Sequence, residues 1–91
     1  MTPIHDLLHR IQWDPQFGMG RFVIGYYDRH ERRIIAVPFR RVHLESGKRF
    51  SFDVEDRDGT VRMVPFHRVR EVWRDGQLIW HRAPVQTERG A

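Results

Sequence analysis

No cysteine occurs among the 91 residues, and that absence removes disulfides, thiolate metal sites and cysteine nucleophiles together. It fits a reducing, cytoplasmic setting. Lysine is almost missing too: Lys48 is the single one among 16 Lys and Arg residues, so arginine carries the positive charge. Arginine makes planar, bidentate contacts with phosphate, but a genome rich in G and C enriches it as well, so the bias alone decides little. No apolar run approaches membrane-spanning length, so no membrane partner is expected. His5, Asp6, His9, Arg10 and Asp14 interrupt the first twenty residues, and no signal-peptide core is expected there.

Hydroxyl side chains are scarce, namely Thr2, Ser46, Ser51, Thr60 and Thr87. None stands in a Gly-x-Ser-x-Gly elbow. There is no glycine-rich loop ending in Gly-Lys-Ser/Thr and no Gly-x-Gly-x-x-Gly. The paired His-x-Ser/Thr motifs of two-histidine phosphodiesterases are missing as well, because His67 is followed by Arg68-Val69 and His81 by Arg82-Ala83. No catalytic residue and no cofactor are therefore assigned. Acid–base chemistry by His67, as in a small phosphoesterase, stays open as a minor alternative.

What is present is an ordinary globular composition with 40 % hydrophobic and 31 % charged residues. A chain of this length buries roughly 60–65 % of its unfolded surface, enough for one core. The formal charge of +4 favours an anionic partner.

Residues 2–12 read as a helix, with Thr2 as N-cap and Pro3 in the first turn. Ile4, Leu7, Leu8 and Ile11 form its apolar stripe. Trp13-Asp14-Pro15 ends it, since the residue before proline leaves the helical region. Residues 22–27 and 34–37 read as a hairpin around a charged tip, Asp28 to Arg33. The stretch 39–48 reads as irregular, with a helical turn near Phe39. Phe50, Phe52 and Val54 alternate with polar residues, and Asp56-Arg57-Asp58-Gly59 turns the chain into Val61, Met63 and Pro65. Pairing Glu55 with Thr60 sets Val54 opposite Val61, Asp53 opposite Arg62, and Phe52 opposite Met63. Asp75-Gly76 suits a type I′ turn. It sets Trp73 opposite Leu78, Val72 opposite Ile79, Glu71 opposite Trp80, and Arg70 opposite His81. The pattern predicts an α+β domain: one N-terminal helix on a mainly antiparallel sheet or small barrel of three successive hairpins. The domain is expected over residues 1–82, with 83–91 a frayed, disordered tail. No repeat at solenoid spacing stands out.

Two histidines four apart, His5 and His9, imitate the zinc pattern H-E-x-x-H. Aspartate replaces the glutamate, no third ligand is marked and the helix is short, so a polar helix face is the better reading and no metal is expected. The acids around Asp56 and Asp28 read as turn chemistry. Trp13, Phe22, Phe50 and Phe52 are assigned to the core. Tyr26, Tyr27, Trp73 and Trp80 are the candidates for an exposed stacking surface.

The most telling feature is a doubled pattern, Phe66-His67-Arg68 and Trp80-His81-Arg82, in which an aromatic precedes a His-Arg pair. Histidine and arginine donate to phosphate oxygens, and an aromatic face stacks on bases. The block Val64-Pro65-Phe66-His67-Arg68-Val69-Arg70-Glu71-Val72 through Gly76 and Ile79-Trp80-His81-Arg82, with the helix 4–8, the segment Ile11 to Pro15 and Gly25-Tyr26-Tyr27-Asp28-Arg29, resembles a known family. It is similar to the RNA cyclic group end recognition domain, first catalogued in archaea without a function, over residues 2–82. The resemblance departs at His9, where the family favours asparagine. It implies a non-catalytic module that binds processed RNA 3′ ends, including a 2′,3′-cyclic phosphate, in RNA repair or processing. Relatives occur alone or joined to nucleotidyltransferase-like and two-histidine phosphodiesterase domains, so repair enzymes and nucleotidyltransferases are candidate partners.

On this basis Arg68 and Arg82 are expected to hold the terminal phosphate beside His67. Trp80 is expected to stack on the terminal base or brace Arg82, and His5, Tyr27 and Arg70 to form the rim. The alternative is an accessory domain that docks an RNA-processing enzyme; it predicts a contiguous apolar patch with Trp73, Leu78 and Trp80 uncovered.

Overall fold

In the computed structural model, which describes residues 2–45 and 47–82, helix α1 (Ile4–Trp13) starts after Pro3. Pro3, not Thr2, is the N-cap: its carbonyl accepts from Leu7 N–H at 3.0 Å and no side chain caps the turn. The expected stripe of Ile4, Leu7, Leu8 and Ile11 is buried. Each such side chain contributes about 1.5–3 kcal/mol on burial. Asp14 is extended before Pro15, and its carboxylate accepts from Gln16 and Phe17 N–H at 3.0 and 3.1 Å to turn the chain. No helix among the described residues is long and apolar enough to cross a membrane.

Among the described residues seven strands follow: β1 (Phe22–Asp28), β2 (Arg33–Pro38), β3 (Val42–His43), β4 (Ser51–Glu55), β5 (Val61–Pro65), β6 (Val69–Arg74) and β7 (Gln77–His81). They form two antiparallel sheets, ordered β2-β1-β6-β7 and β3-β4-β5. The sheets are open, and with the helix they make the α+β architecture expected. The helix stripe, Phe22, Ile24 and Tyr26 of β1, Phe52 and Val54 of β4, and Val64, Phe66, Val69, Val72 and Trp80 share one core. Residues 83–91, expected to be a frayed tail, lie outside the described residues.

The chain crosses between the sheets twice, each time through proline and a single 3₁₀ turn. Phe39–Arg41 makes the first corner, from β2 to β3, and Phe66–Arg68 the second, from β5 to β6. Pro38 and Pro65 enter with nearly identical backbone angles (φ −68°, ψ 145° and φ −64°, ψ 141°), and Val42 and Val69 N–H close the turns onto the Phe39 and Phe66 carbonyls. The sequences match: Val37-Pro38-Phe39-Arg40-Arg41-Val42 and Val64-Pro65-Phe66-His67-Arg68-Val69. The pairing matches too. Val42 lies opposite Val54 in β4, and Val69 opposite Tyr26 in β1. Hairpin, corner and strand thus occur twice, and the third strand of each unit pairs with the first strand of the other. The repeat escaped the reading by solenoid periods because only the six corner residues carry it.

Several expected alignments are corrected. Phe52 faces Val64, Asp53 faces Met63 and Val54 faces Arg62, one residue away from the expected register. A slip of one residue exchanges the faces of a strand. Val64 is therefore buried, whereas Val61 and Met63 are exposed. The turn decides this, with Asp56 N–H donating to Thr60 O at 2.8 Å and Gly59 N–H to Asp56 O at 3.0 Å. In the last hairpin Asp75 and Gly76 both take positive φ, as a type I′ turn requires, and Trp73 faces Leu78 as expected. An irregularity between Val72 and Trp73 then shifts the rest, so Val72 faces Trp80 and Glu71 faces His81. Trp13 (69 % exposed) and Phe50 (82 %) lie outside the core to which they were assigned. Tyr26, expected at an exposed surface, is buried.

Candidate functional site

The second corner is anchored from several sides. Phe66 N–H donates to Phe50 O at 2.8 Å, and the Phe66 ring packs 5.2 Å from Phe52 and edge-on to His5 at 5.1 Å. With that ring buried, His67 is exposed and Arg68 half-buried beside it. Two arginines hold the turn from the β6 and β7 side. Arg70 Nη1 donates to His67 O at 2.9 Å, and Arg82 Nη2 donates to Phe66 O at 3.0 Å and Val69 O at 3.2 Å. Arg82 Nε reaches Val69 O at 3.3 Å, and its guanidinium lies 5.1 Å from the Trp80 ring centre. Burial, and then the neighbouring Arg70 charge, lower the Arg82 pKa from its ordinary value.

Beside this corner lies a cleft of about 590 Å³ between the tip of the first hairpin and β5. Tyr26, Tyr27, Asp28, Arg29 and His30 line one side; Thr60, Arg62, Met63, Val64 and Arg68 line the other. Asp28 is the fixed acid of the cleft, only 7 % exposed. Its Oδ1 accepts from His30 and Glu31 N–H at 2.8 and 3.1 Å, and its Oδ2 lies 3.3 Å from Arg62 Nη1. The Glu31 amide first, then the His30 amide and Arg62, hold its carboxyl below the ordinary value in spite of burial. Arg62 also reaches Asp56 Oδ2 at 3.1 Å, so it ties the two hairpin tips together. Asp56 and then Tyr26 raise the Arg62 pKa. Burial raises that of the Tyr26 phenol.

With Asp28 committed to Arg62 and two amides, the cleft keeps two uncommitted cations. Among the described residues, neither Arg29 nor Arg68 has an ion pair or a side-chain hydrogen bond. Tyr27 adds a half-buried ring, with the Arg70 guanidinium 5.7 Å from its centre. A phosphate oxygen can be met by Arg68 or Arg29, and a planar group by the Tyr27 face.

Of the residues expected at the site, only Arg68 and Tyr27 line this cleft. His67 is on the same turn but not in its lining. Arg70 is 4 % exposed and works from below. Trp80 is 7 % exposed, and its Nε1 donates to Thr2 O at 2.8 Å, which fastens the last strand to the start of the helix. The exposed stacking role expected for Trp80 is thereby corrected: in the shifted register its ring faces the core with Val72. It does brace Arg82, whose guanidinium is engaged with backbone carbonyls. His5 lies on the helix side of Phe66, its ring tilted against that of His9 with centres 4.3 Å apart. Sequence reasoning missed Asp28, Arg29, His30 and Arg62. The first three stand at a hairpin tip that looks like ordinary turn chemistry, and Arg62 was given to Asp53; no linear signal joins them.

Residues 1–82 match the family model described as the MJ1316 RNA cyclic group end recognition domain. No solved structure matches the chain.

Proposed function

The chain belongs to the MJ1316 RNA cyclic group end recognition domain family, and from that premise we propose that it is a non-catalytic module binding processed RNA 3′ ends in RNA repair or processing. The terminal phosphate, cyclic or open, enters the cleft between the first hairpin tip and β5. Arg68 meets it, with Arg29 as the second cation and His67 donating from the outer edge of the corner. Tyr27 packs against the terminal nucleoside. Arg70 and Arg82 set the position of Arg68 by holding the turn beneath it. The observation that carries this reading is an uncommitted, half-buried arginine beside a carboxylate already bonded to Arg62 and two backbone amides. An incoming anion then meets net positive charge, because Arg29, Arg62 and Arg68 outnumber Asp28 in the lining.

The accessory-docking alternative finds less support. Its apolar patch required Trp73, Leu78 and Trp80 to be uncovered together; Leu78 is exposed, but Trp73 is half-buried and Trp80 buried. The phosphoesterase alternative would rest on His67, which has no carboxylate or second histidine bonded to it among the described residues.

The test is a titration with four otherwise identical short RNAs ending in 2′,3′-cyclic phosphate, 3′-phosphate, 2′-phosphate or free hydroxyl. Phosphate-bearing ends are expected to bind more tightly, and Arg68→Ala to abolish the difference. Equal affinity for all four ends sinks end recognition. Ring opening of the cyclic end that disappears in His67→Ala would establish the phosphoesterase instead.

A further inference from the structure

The first corner borders a second cavity, which is built differently from the cleft: Arg41, the match of Arg68, is not in its lining. It measures about 540 Å³ and opens between the end of α1 and the first corner. Pro38, Phe39 and Arg40 of that corner line it opposite Gly20, Arg21 and Phe22. Arg40 takes the place that His67 has in the second corner. Arg21 and Arg40 are exposed, and among the described residues neither has an ion pair or a side-chain hydrogen bond. The nearby Asp75 carboxylate is occupied, accepting from the Arg21 backbone N–H at 2.9 Å. Phe39 is half-buried, its ring 6.5 Å from Phe22, and the Arg74 guanidinium stands 5.5 Å from the Phe22 centre. Gly20, in the lining, has φ +106°, and a Cβ there would come within 2.7 Å of Asp75 Oδ2.

An aromatic floor with two unpaired arginines at its edge suits a planar ring carrying an anionic group. We propose that this cavity is a second nucleotide site, taking an upstream nucleotide of the same RNA, with its base on Phe39 and its phosphate between Arg21 and Arg40. The proposal rests on the reading of the Arg68 cleft as the site for the 3′ end. Strand β1 links the two places: Val23 lines the cavity and Tyr27 the cleft. Those positions are about 13 Å apart at the rise of an extended strand. One short single strand can therefore engage both. Stacking and phosphate contact of this kind tolerate any base, so the second site adds affinity and direction, not sequence preference.

The experiment compares a ten-nucleotide RNA with a dinucleotide, both ending in 2′,3′-cyclic phosphate, and titrates them into wild-type protein and two sets of variants. Arg21→Ala/Arg40→Ala should weaken the ten-nucleotide RNA about ten-fold and reduce its salt slope by about 1.4, as for two lost single-strand phosphate contacts. The dinucleotide should bind this variant as it binds wild type. Phe39→Leu, which keeps an apolar side chain at the corner, should weaken the longer RNA alone by removing the stacking face. Arg68→Ala should weaken both RNAs. An unchanged affinity and salt slope for the ten-nucleotide RNA in Arg21→Ala/Arg40→Ala overturns the proposal and leaves the end-binding reading intact. Equal weakening of both RNAs by that variant also overturns it. If Arg68→Ala changes neither RNA while Arg21→Ala/Arg40→Ala weakens the longer one, end recognition at the cleft fails and the cavity stands as a nucleotide site.

Discussion

Arg82 Nη2 donates to the carbonyl oxygen of Phe66 at 3.0 Å, so the final described residue holds the turn on which Arg68 stands. An arginine expected to hold phosphate is instead bonded to backbone. Its charge still adds to the field of the corner, but its hydrogen bonds are structural.

Arg82 and Arg68 should therefore separate in mutagenesis. Arg82→Ala removes three contacts to two part-buried carbonyls and is expected to cost about 2–3 kcal/mol. Arg68→Ala should leave stability within about 0.5 kcal/mol and remove RNA-end affinity. Urea unfolding beside RNA titration distinguishes them. A stable Arg82→Ala that has lost binding would restore the direct phosphate role.

Trp80 should behave as core. Trp80→Phe loses the 2.8 Å bond from Nε1 to Thr2 O and part of the buried ring, and is expected to destabilise by about 1–2 kcal/mol. RNA affinity under native conditions should stay within two-fold. A large loss of affinity in a stable variant would mean that the ring stacks on RNA.

Asp28 carries an acid-side dependence. Its folded pKa lies below the ordinary 3.8, so the stability it provides is fully present above that value and is lost as pH falls through the folded value. Asp28→Ala should cost about 2–3 kcal/mol at neutral pH, because two amide contacts and the Arg62 pair go with it. Between wild type and variant, the gap in unfolding free energy should narrow only in acid. A gap independent of pH would remove the charge from the explanation.

His9 acts higher on the pH scale. Burial, then the like charge of His5, lower its pKa from 6.5, and its Nε2 is buried with no hydrogen-bond partner among the described residues. The unfolded chain takes up a proton that folded His9 resists. Stability should therefore decline as pH falls from 6.5 toward the folded pKa. His9→Asn should flatten that decline, as measured by thermal midpoints at several pH values. An unchanged slope would assign the titration to another group.

Local patterns were legible where one residue type has one physical use. The stripe Ile4, Leu7, Leu8 and Ile11 buried as read, and Asp75-Gly76 made its I′ turn. Trp13 and Phe50 misled because an aromatic beside a core segment carries no sign of which way it faces. The register at Phe52 and Val54 was off by one because residues 61–64 offer apolar side chains to both faces. Of the site, Arg68 and Tyr27 were readable from their surroundings, whereas Asp28 and Arg62 are 34 positions apart and meet only across the two hairpins.

By itself, then, the amino-acid order determined the helix stripe and where the hairpins turn, because periodicity and turn chemistry act over a few residues. Tertiary structure decided which arginines are free. Arg70 and Arg82 turn to carbonyls of the second corner, and Arg62 to the acids of two tips, while Arg68, Arg21 and Arg40 keep no such partner among the described residues. Charge is written in the sequence, but its availability depends on which acceptors the sheets bring within reach.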